Sequence, residues 1–358
     1  MTARPCPIIS SAFAPRLFLA AAIVLGVSIF FTGCPAPRTL EVKTQQGANP
    51  NEINVDEAKR EGEVVWYTSM SERNAKPIAD KFMEQYPFIT CHVTRASTFQ
   101  IVQRIEGEFK TTPRADVLHV LDPAVFVSLE QDGRLYHYLS SYAAKIPTNE
   151  QSSGYWSSCR AEVTVLAFRP GDTTPVTSWA DLFPKLPPKA IIGLKDAEKS
   201  GSAYATYYLL REKYGYSFWD RMKKLQWRIY RTDRDMIAAL QRGEVSVLAG
   251  VMADSAAKAG LRIVWPTDGA PLVIGPVAIL ATAPHPNAAK LFEDFLLSER
   301  GQTQLRDLTG AYGTLPGLAP PGKLLPLSKV PVLSPKASWD LYTALQPSLQ
   351  DEYATNFP

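Results

Sequence analysis

Apolar residues recur along the chain at two different periods, and the alternation between them predicts an α/β protein. Residues 63–68 (EVVWYT) read as a strand. Residues 74–86 read as a helix, with Ile78 and Phe82 one turn apart and Pro77 in the first turn. A strand at 89–94 leads to a helix at 98–110, where Ile101, Val102, Ile105 and Phe109 share a face. A strand at 115–120 and a helix at 123–131 complete a β-α-β-α-β-α order, which calls for a parallel sheet with helices on both faces.

The pattern then breaks. A long β-run at 162–168 is followed by Pro170, Gly171 and Pro175, and Ser178 with Asp181 has capping-box spacing ahead of a short helix. A second alternation begins with strand 190–194 and continues through helices 202–213 and 217–226 to strand 228–231. Thr232 and Asp235 form another capping box for a helix reaching 241, and strand 245–249 and helix 252–259 follow. Runs at 262–265 and 272–281 are β-rich, and the remainder is helical at 287–297, 299–308 and 337–350. Two α/β units result: residues 60–165 plus 275–358 as one lobe, and 170–270 as the other. The runs at 162–168 and 272–281 are the two crossing strands between them. Each lobe is expected to have its own core, and the cleft between them is the natural ligand site.

The front of the chain follows different rules. Arg4 and Arg16 precede an unbroken apolar run over 17–31, and no acidic residue occurs before Glu41, as in a secretory signal. The run ends Phe31-Thr32-Gly33-Cys34, which resembles a bacterial lipobox with Cys34 as the lipidated residue. An uncleaved anchor helix is the other reading, and both put the folded part outside the cytoplasmic membrane. Residues 1–34 are thus expected to be a lipoprotein signal segment. Residues 35–59, poor in apolar side chains, are expected to be a flexible tether. Of four cysteines, Cys91 and Cys159 remain for the folded part, either bridged or as two unrelated buried thiols.

Hydrophobic residues make up 46% and charged residues 20%, with a formal net charge of +3, so a core is affordable and no basic stripe invites nucleic acid. His92, His119, His137 and His285 show no metal-ligand spacing, and there is no GxSxG elbow and no P-loop. No nucleophile stands beside a base, so catalysis, cofactor and bound metal are not expected.

Several ordered segments resemble bacterial extracellular solute-binding proteins of the iron(III)-type ABC importer family. They include Glu61-Gly-Glu-Val-Val-Trp-Tyr-Thr-Ser69, Tyr86-Pro87, Gly154-Tyr-Trp156, Ser178-Trp-Ala-Asp-Leu182 and Ser200-Gly-Ser-Ala-Tyr204. Arg242-Gly-Glu-Val245, Gly275-Pro-Val-Ala-Ile279 and Gly301-Gln302 continue the series, which covers most of residues 60–315. The resemblance implies a two-lobed type 2 periplasmic-binding-protein fold that hinges shut on a solute and passes it to an ABC permease. The iron ligands of that family are not matched. Where adjacent tyrosines are expected the chain reads Gly250-Val-Met-Ala-Asp-Ser255, the first-loop histidine would fall near Ser71, and Asp122 stands near the carboxylate position. Tyr207 and Tyr208 are adjacent but lie inside a helix pattern, where packing explains them.

Ligands of open parallel sheets bind beyond the carboxyl ends of strands. Those ends carry Tyr67, Thr68 and Ser69 after the first strand and Ser97 and Thr98 after the second. Ser200, Gly201 and Ser202 open a helix in the other lobe. Helix starts with hydroxyls suit an anion such as a phosphonate, an organophosphate or a carboxylate. The same Ser and Thr residues also serve as ordinary caps. Asp254 is either a ligand contact or a helix cap. The expected protein is therefore a monomeric, lipid-anchored binding module for a small molecule or ion, partnered by an ABC permease. A ferric-iron binder with a non-standard site and a sensory ligand-binding subunit stay open as alternatives.

Overall fold

The computed structural model describes residues 51–335 and 339–358; the signal segment, Cys34 and residues 35–50 of the expected tether lie outside them. The first element contradicts the tether reading over 55–59. Helix α1 (Val55–Glu61) starts at Asn54, whose side chain accepts from the Glu57 amide, and stops at Gly62, which is left-handed at φ 70°. Asp56 and Glu57 in its first turn and Lys59 and Arg60 in its last suit the helix dipole.

Strands β1 (Glu63–Thr68), β2 (Thr90–Arg95) and β3 (Val117–His119) are parallel, β1 lying between the other two. They alternate with α2 (Glu72–Gln85), α3 (Thr98–Phe109) and α4 (Pro123–Gln131). Helix α2 begins two residues before the predicted start, so Pro77 sits beyond the first turn and costs the helix one ladder bond. After the short β4 (Gln151–Ser152) comes β5 (Trp156–Phe168), buried along all 13 residues and six residues longer at its start than its apolar run.

The second alternation is β6 (Ile191–Lys195), α5 (Gly201–Tyr214), α6 (Tyr216–Met222), β7 (Gln226–Tyr230), α7 (Asp233–Gln241), β8 (Val247–Met252) and α8 (Ala253–Lys258). Strands β9 (Arg262–Val264) and β10 (Ala270–Ile279), helices α9 (Pro286–Leu297) and α10 (Glu299–Thr309), β11 (Val332–Leu333) and α11 (Trp339–Asn356) end the chain. All strands join one sheet, in the order β2-β1-β3-β10-β5-β8-β6-β7, with β4 and β9 on β5 and β11 on β10. Three parallel strands stand at each end. Between them β10 and β5 run antiparallel to each other and to their outer neighbours. These are the two crossing strands read from the sequence. The register of β10 slips between Gly275 and Pro276, where proline has no N–H for a ladder.

Two apolar clusters keep to one half of the sheet each, around Trp66, Phe82 and Phe292 and around Met236, Leu240 and Leu248. A third is continuous across both halves, from Ile105 and Phe126 to Tyr204, Trp219 and Phe357, so the expectation of separate cores holds only in part. The link is α11. Grouped by sequence with the first lobe, it rests its C-terminal end on the second: Phe357 meets Trp219 and Trp227, and Tyr353 meets Tyr207. Cys91 and Cys159 are buried free thiols, which settles the earlier alternative.

The turn from α9 into α10 is unusually close. Ser298 caps α10 by accepting from the Gly301 amide at 3.0 Å and donates to the Phe295 carbonyl at 2.7 Å. A Cβ on Gly301 would stand 1.8 Å from that carbonyl oxygen. Gly301→Ala is expected to lower stability by about 2 kcal/mol through overpacking, read as a lower urea midpoint with an unchanged slope.

Candidate functional site

Successive residues of a strand face opposite sides, so Arg160, Glu162 and Thr164 share one face of β5. All three are buried. The Arg160 Nη1 donates to Glu162 Oε1 at 2.8 Å, and its Nε donates to His119 Nε2 at 3.2 Å. Because the guanidinium can only donate, His119 carries its proton on Nδ1 and gives it to Thr68 Oγ1 at 3.0 Å. Burial, then the Arg160 charge, holds the imidazole well below its ordinary pKa. The Thr68 hydroxyl also accepts from the Met70 amide at 3.1 Å. This chain of bonds ties the C-terminal ends of β1 and β3 to the strand shared by both halves.

On the second half, Lys195 at the end of β6 approaches Asp233 at 3.1 Å and donates to Ser202 Oγ at 3.3 Å. The Ser202 and Ser200 hydroxyls are 3.1 Å apart. The Thr206 hydroxyl donates to the Ser202 carbonyl and meets Thr164 of β5. Burial raises the Glu162 pKa, and the charges of Asp254 and Asp233 raise it further. Asp254 is itself raised by burial, although Lys258 sits 3.2 Å away.

Helix α5 starts without a side-chain cap: Ser200 spends its hydroxyl on Ser202 instead of a backbone amide. Its first residue faces the other half. A Cβ on Gly201 would lie 2.6 Å from Asp122 Cβ and 2.7 Å from the Leu121 carbonyl oxygen, so only glycine lets the two helix starts meet. Asp122 caps α4 by accepting from the Ala124 amide, and accepts also from the Tyr342 hydroxyl at 3.0 Å and Gln346 at 3.5 Å. Beside this contact lies a cavity of about 280 Å³, walled by α3, α4, the start of α5 and α11. Glu106, Asp122, Asp132 and Glu198 line it against a single Lys199.

Of the residues singled out by sequence, Thr98, Ser200 and Gly201 line this cavity. Ser202 lies directly beneath, bonded to Ser200 and Lys195. Tyr67 and Thr68 are packed inside. The Tyr67 hydroxyl donates to Glu108 at 2.6 Å, and Thr68 is occupied by His119. The Ser69 amide donates to the His119 carbonyl. Ser97 caps α3 in a reciprocal box with Gln100. Asp254 belongs to the buried charges around Glu162 and not to the cavity wall. Tyr207 and Tyr208 are buried in α5, the first bonded to Glu352 and the second packed on Tyr342. Arg160, Glu162, Lys195 and Asp233 escaped the sequence reading, although alternate polar residues in an otherwise apolar strand were the available signal. Among the described residues no group of three or more His, Cys, Asp or Glu side chains is placed to hold a metal ion.

The model of a family described as bacterial extracellular solute-binding protein matches residues 65–307, and the chain belongs to that family. It is a solute-binding protein of the ABC-transporter type, not an enzyme. No curated protein sequence matches it. Among solved structures it is similar to the periplasmic binding protein P5PA, with TM-score 0.71 and 22% identity over 83% of this chain and 100% of that one. It is similar also to AfuA from Actinobacillus pleuropneumoniae with fructose-6-phosphate bound (TM-score 0.71, 21% identity, 82% of this chain and 98% of that one). Iron-bound HitA from Pseudomonas aeruginosa gives TM-score 0.70 and 21% identity over 81% of this chain and 98% of that one. At these identities the likeness defines the type 2 periplasmic-binding-protein fold.

Burial pushes the Asp122 carboxyl up to about 6, against the pull of Tyr342, the Ala124 amide and Gln346. A carboxyl raised in the folded state binds its proton more tightly there than in the unfolded chain. Stability therefore falls as pH rises from about 4 to about 6 and stays lowered above. Asp122→Asn keeps the cap and is expected to raise stability by about 1–3 kcal/mol near pH 8 and by almost nothing near pH 4. Melting curves at the two pH values check the difference.

Proposed function

We propose that the protein captures a small anionic solute outside the cytoplasmic membrane, in the cavity between the two halves, and delivers it to an ABC permease. The uncapped start of α5 carries this reading. A helix N-terminus with free amides attracts negative charge, Ser200 at its start lines the cavity with Lys199, and Ser202 and Lys195 stand behind it. Residues 60–165 with the chain from 275 up to α11, and 170–270, act as two lobes hinged on β5 and β10, the end of α11 resting on the second. A solute that touches both stabilises the closed arrangement. A phosphonate, an organophosphate or a carboxylate fits this chemistry. AfuA and HitA, of the same fold, hold fructose-6-phosphate and iron in their structures.

A cationic solute is the second reading, favoured by four carboxylates on the cavity wall against one lysine. Ferric iron stands behind both, because residues 250–255 carry no tyrosine where the family resemblance expects a pair and, among the described residues, no group of three or more His, Cys, Asp or Glu side chains is placed to hold a metal ion. The protein works as a monomer held to the membrane by lipid on Cys34. A sensory role would use the same cleft without a permease.

Thermal shifts with inorganic phosphate, an alkylphosphonate, a dicarboxylate, a diamine and ferric citrate separate these readings. A ligand at a hundredfold over its Kd stabilises by about 2.7 kcal/mol. The anion reading expects a shift with one of the first three and a loss of about tenfold or more in its affinity on Lys199→Met, the one lysine lining the cavity. A shift with the diamine alone would replace it. Cys34→Ala is expected to release the protein from membranes; retention of the variant there, with no lipid attached, would identify an anchor helix instead.

A further inference from the structure

Helix α11 makes two kinds of contact. Its C-terminal part is fixed on the second half of the sheet: Glu352 accepts from Tyr207 and Arg211, the Tyr353 hydroxyl donates to the Lys195 carbonyl, and Phe357 is buried between Trp219 and Trp227. Toward the first half it packs along α4 and adds a few hydrogen bonds from its N-terminal part. Trp339 Nε1 donates to the Asn149 carbonyl at 2.8 Å, Gln131 donates to Asp340 at 3.3 Å, and Tyr342 and Gln346 both donate to Asp122. Pro347, which brings no N–H to the helix ladder, stands between the two sets. Gln346 and Gln350 also line the cavity between the halves, so a solute entering there passes under this helix.

We propose that α11 is a latch across the solute cavity, anchored on the second half by residues 349–357 and holding the first half shut through the hydrogen bonds of Tyr342 and Gln346 to Asp122. The asymmetry of the contacts supports this. Aromatic packing over several rings keeps the anchored part in place, whereas the gripping part lies along α4 and directs two side-chain hydrogen bonds to the single carboxylate of Asp122. Asp122 is the natural grip because it already touches Gly201 of the opposite half. Opening the cavity therefore requires Asp122 to exchange Tyr342 and Gln346 for solvent. The Tyr342 ring can stay on Tyr204 and Tyr208 throughout. The proposal rests on the reading that this cavity takes the solute, but its test needs no solute.

Spin labels at Lys110→Cys and Lys189→Cys, two exposed positions on opposite halves, report the separation by pulsed electron resonance. They are placed in a chain carrying Cys6→Ser and Cys34→Ser. Cys91 and Cys159 are buried, and burial raises both thiols, so they stay unlabelled. Tyr342→Phe with Gln346→Ala keeps the packed ring and removes both bonds. The expected result is a longer-distance component that the unlatched chain populates roughly tenfold more than the parent, about 1.4 kcal/mol. Tyr207→Phe, which removes a bond of the anchored part only, is expected to leave the distribution unchanged. Coincident distributions in parent and unlatched chain would overturn the latch. So would equal broadening in both variants, which would mark general loosening. Gln346→Ala alone, at a half-buried surface position, keeps the test valid if the double variant fails to fold. A solute-binding result of either kind leaves this readout untouched.

Discussion

The arrangement depends on an ion pair buried in a strand that both halves share. Arg160 and Glu162 lie on β5 with almost no solvent, and a charge so placed is tolerated only when its remaining hydrogen-bonding capacity is satisfied. His119 and Thr68 meet that demand from one side, and the field of Lys195, Asp233 and Asp254 acts from the other. Each half therefore contributes to the electrostatics of one strand. Neither could reach this state as an isolated domain without leaving charge uncompensated.

That constraint places the cavity. Once β5 and β10 are threaded through both halves, the C-terminal ends of the flanking parallel strands point toward the same seam, and the helix starts that follow meet there. Asp122 and Gly201 meet there, and the cavity is the space left beside them. Two kinds of polar environment result. The charges under the sheet are internally paired and set geometry, whereas the α5 start has no side-chain cap and borders the cavity. Both lie in one seam, beside the strand that joins the halves.

Much of this was legible in the sequence, and the exceptions have physical causes. Strands and helices of both alternations follow their apolar periods, and α4 matches its predicted bounds, because amphipathic faces against a sheet leave a strong periodic trace. Crossing strands were visible as long apolar runs, but β5 extends back to Trp156 through Ser157, Ser158 and Arg160, which pattern reading discards as polar. Helix α1 was missed for the opposite reason: its stability comes from an Asn54 cap and docking through Glu61, not from an apolar stripe. Among site candidates, Thr98, Ser200 and Gly201 line the cavity, while Tyr67 and Thr68 are occupied by Glu108 and His119. A single sequence shows which side chains can donate, but not which are already spoken for. The role of α11 was out of reach for the same reason, since its aromatic residues look like any core helix until Trp219 and Trp227 are seen against it.

Glu61 closes α1 and accepts from the Asn287 and Ala288 amides at the start of α9, with the Asn287 side chain as a third donor. Lys290 adds a bond to the Glu52 carbonyl. The polypeptide thus enters the fold riveted to one helix of the first half. A pull on the chain ahead of α1 is therefore met first by the contacts between α1 and α9 in the first half.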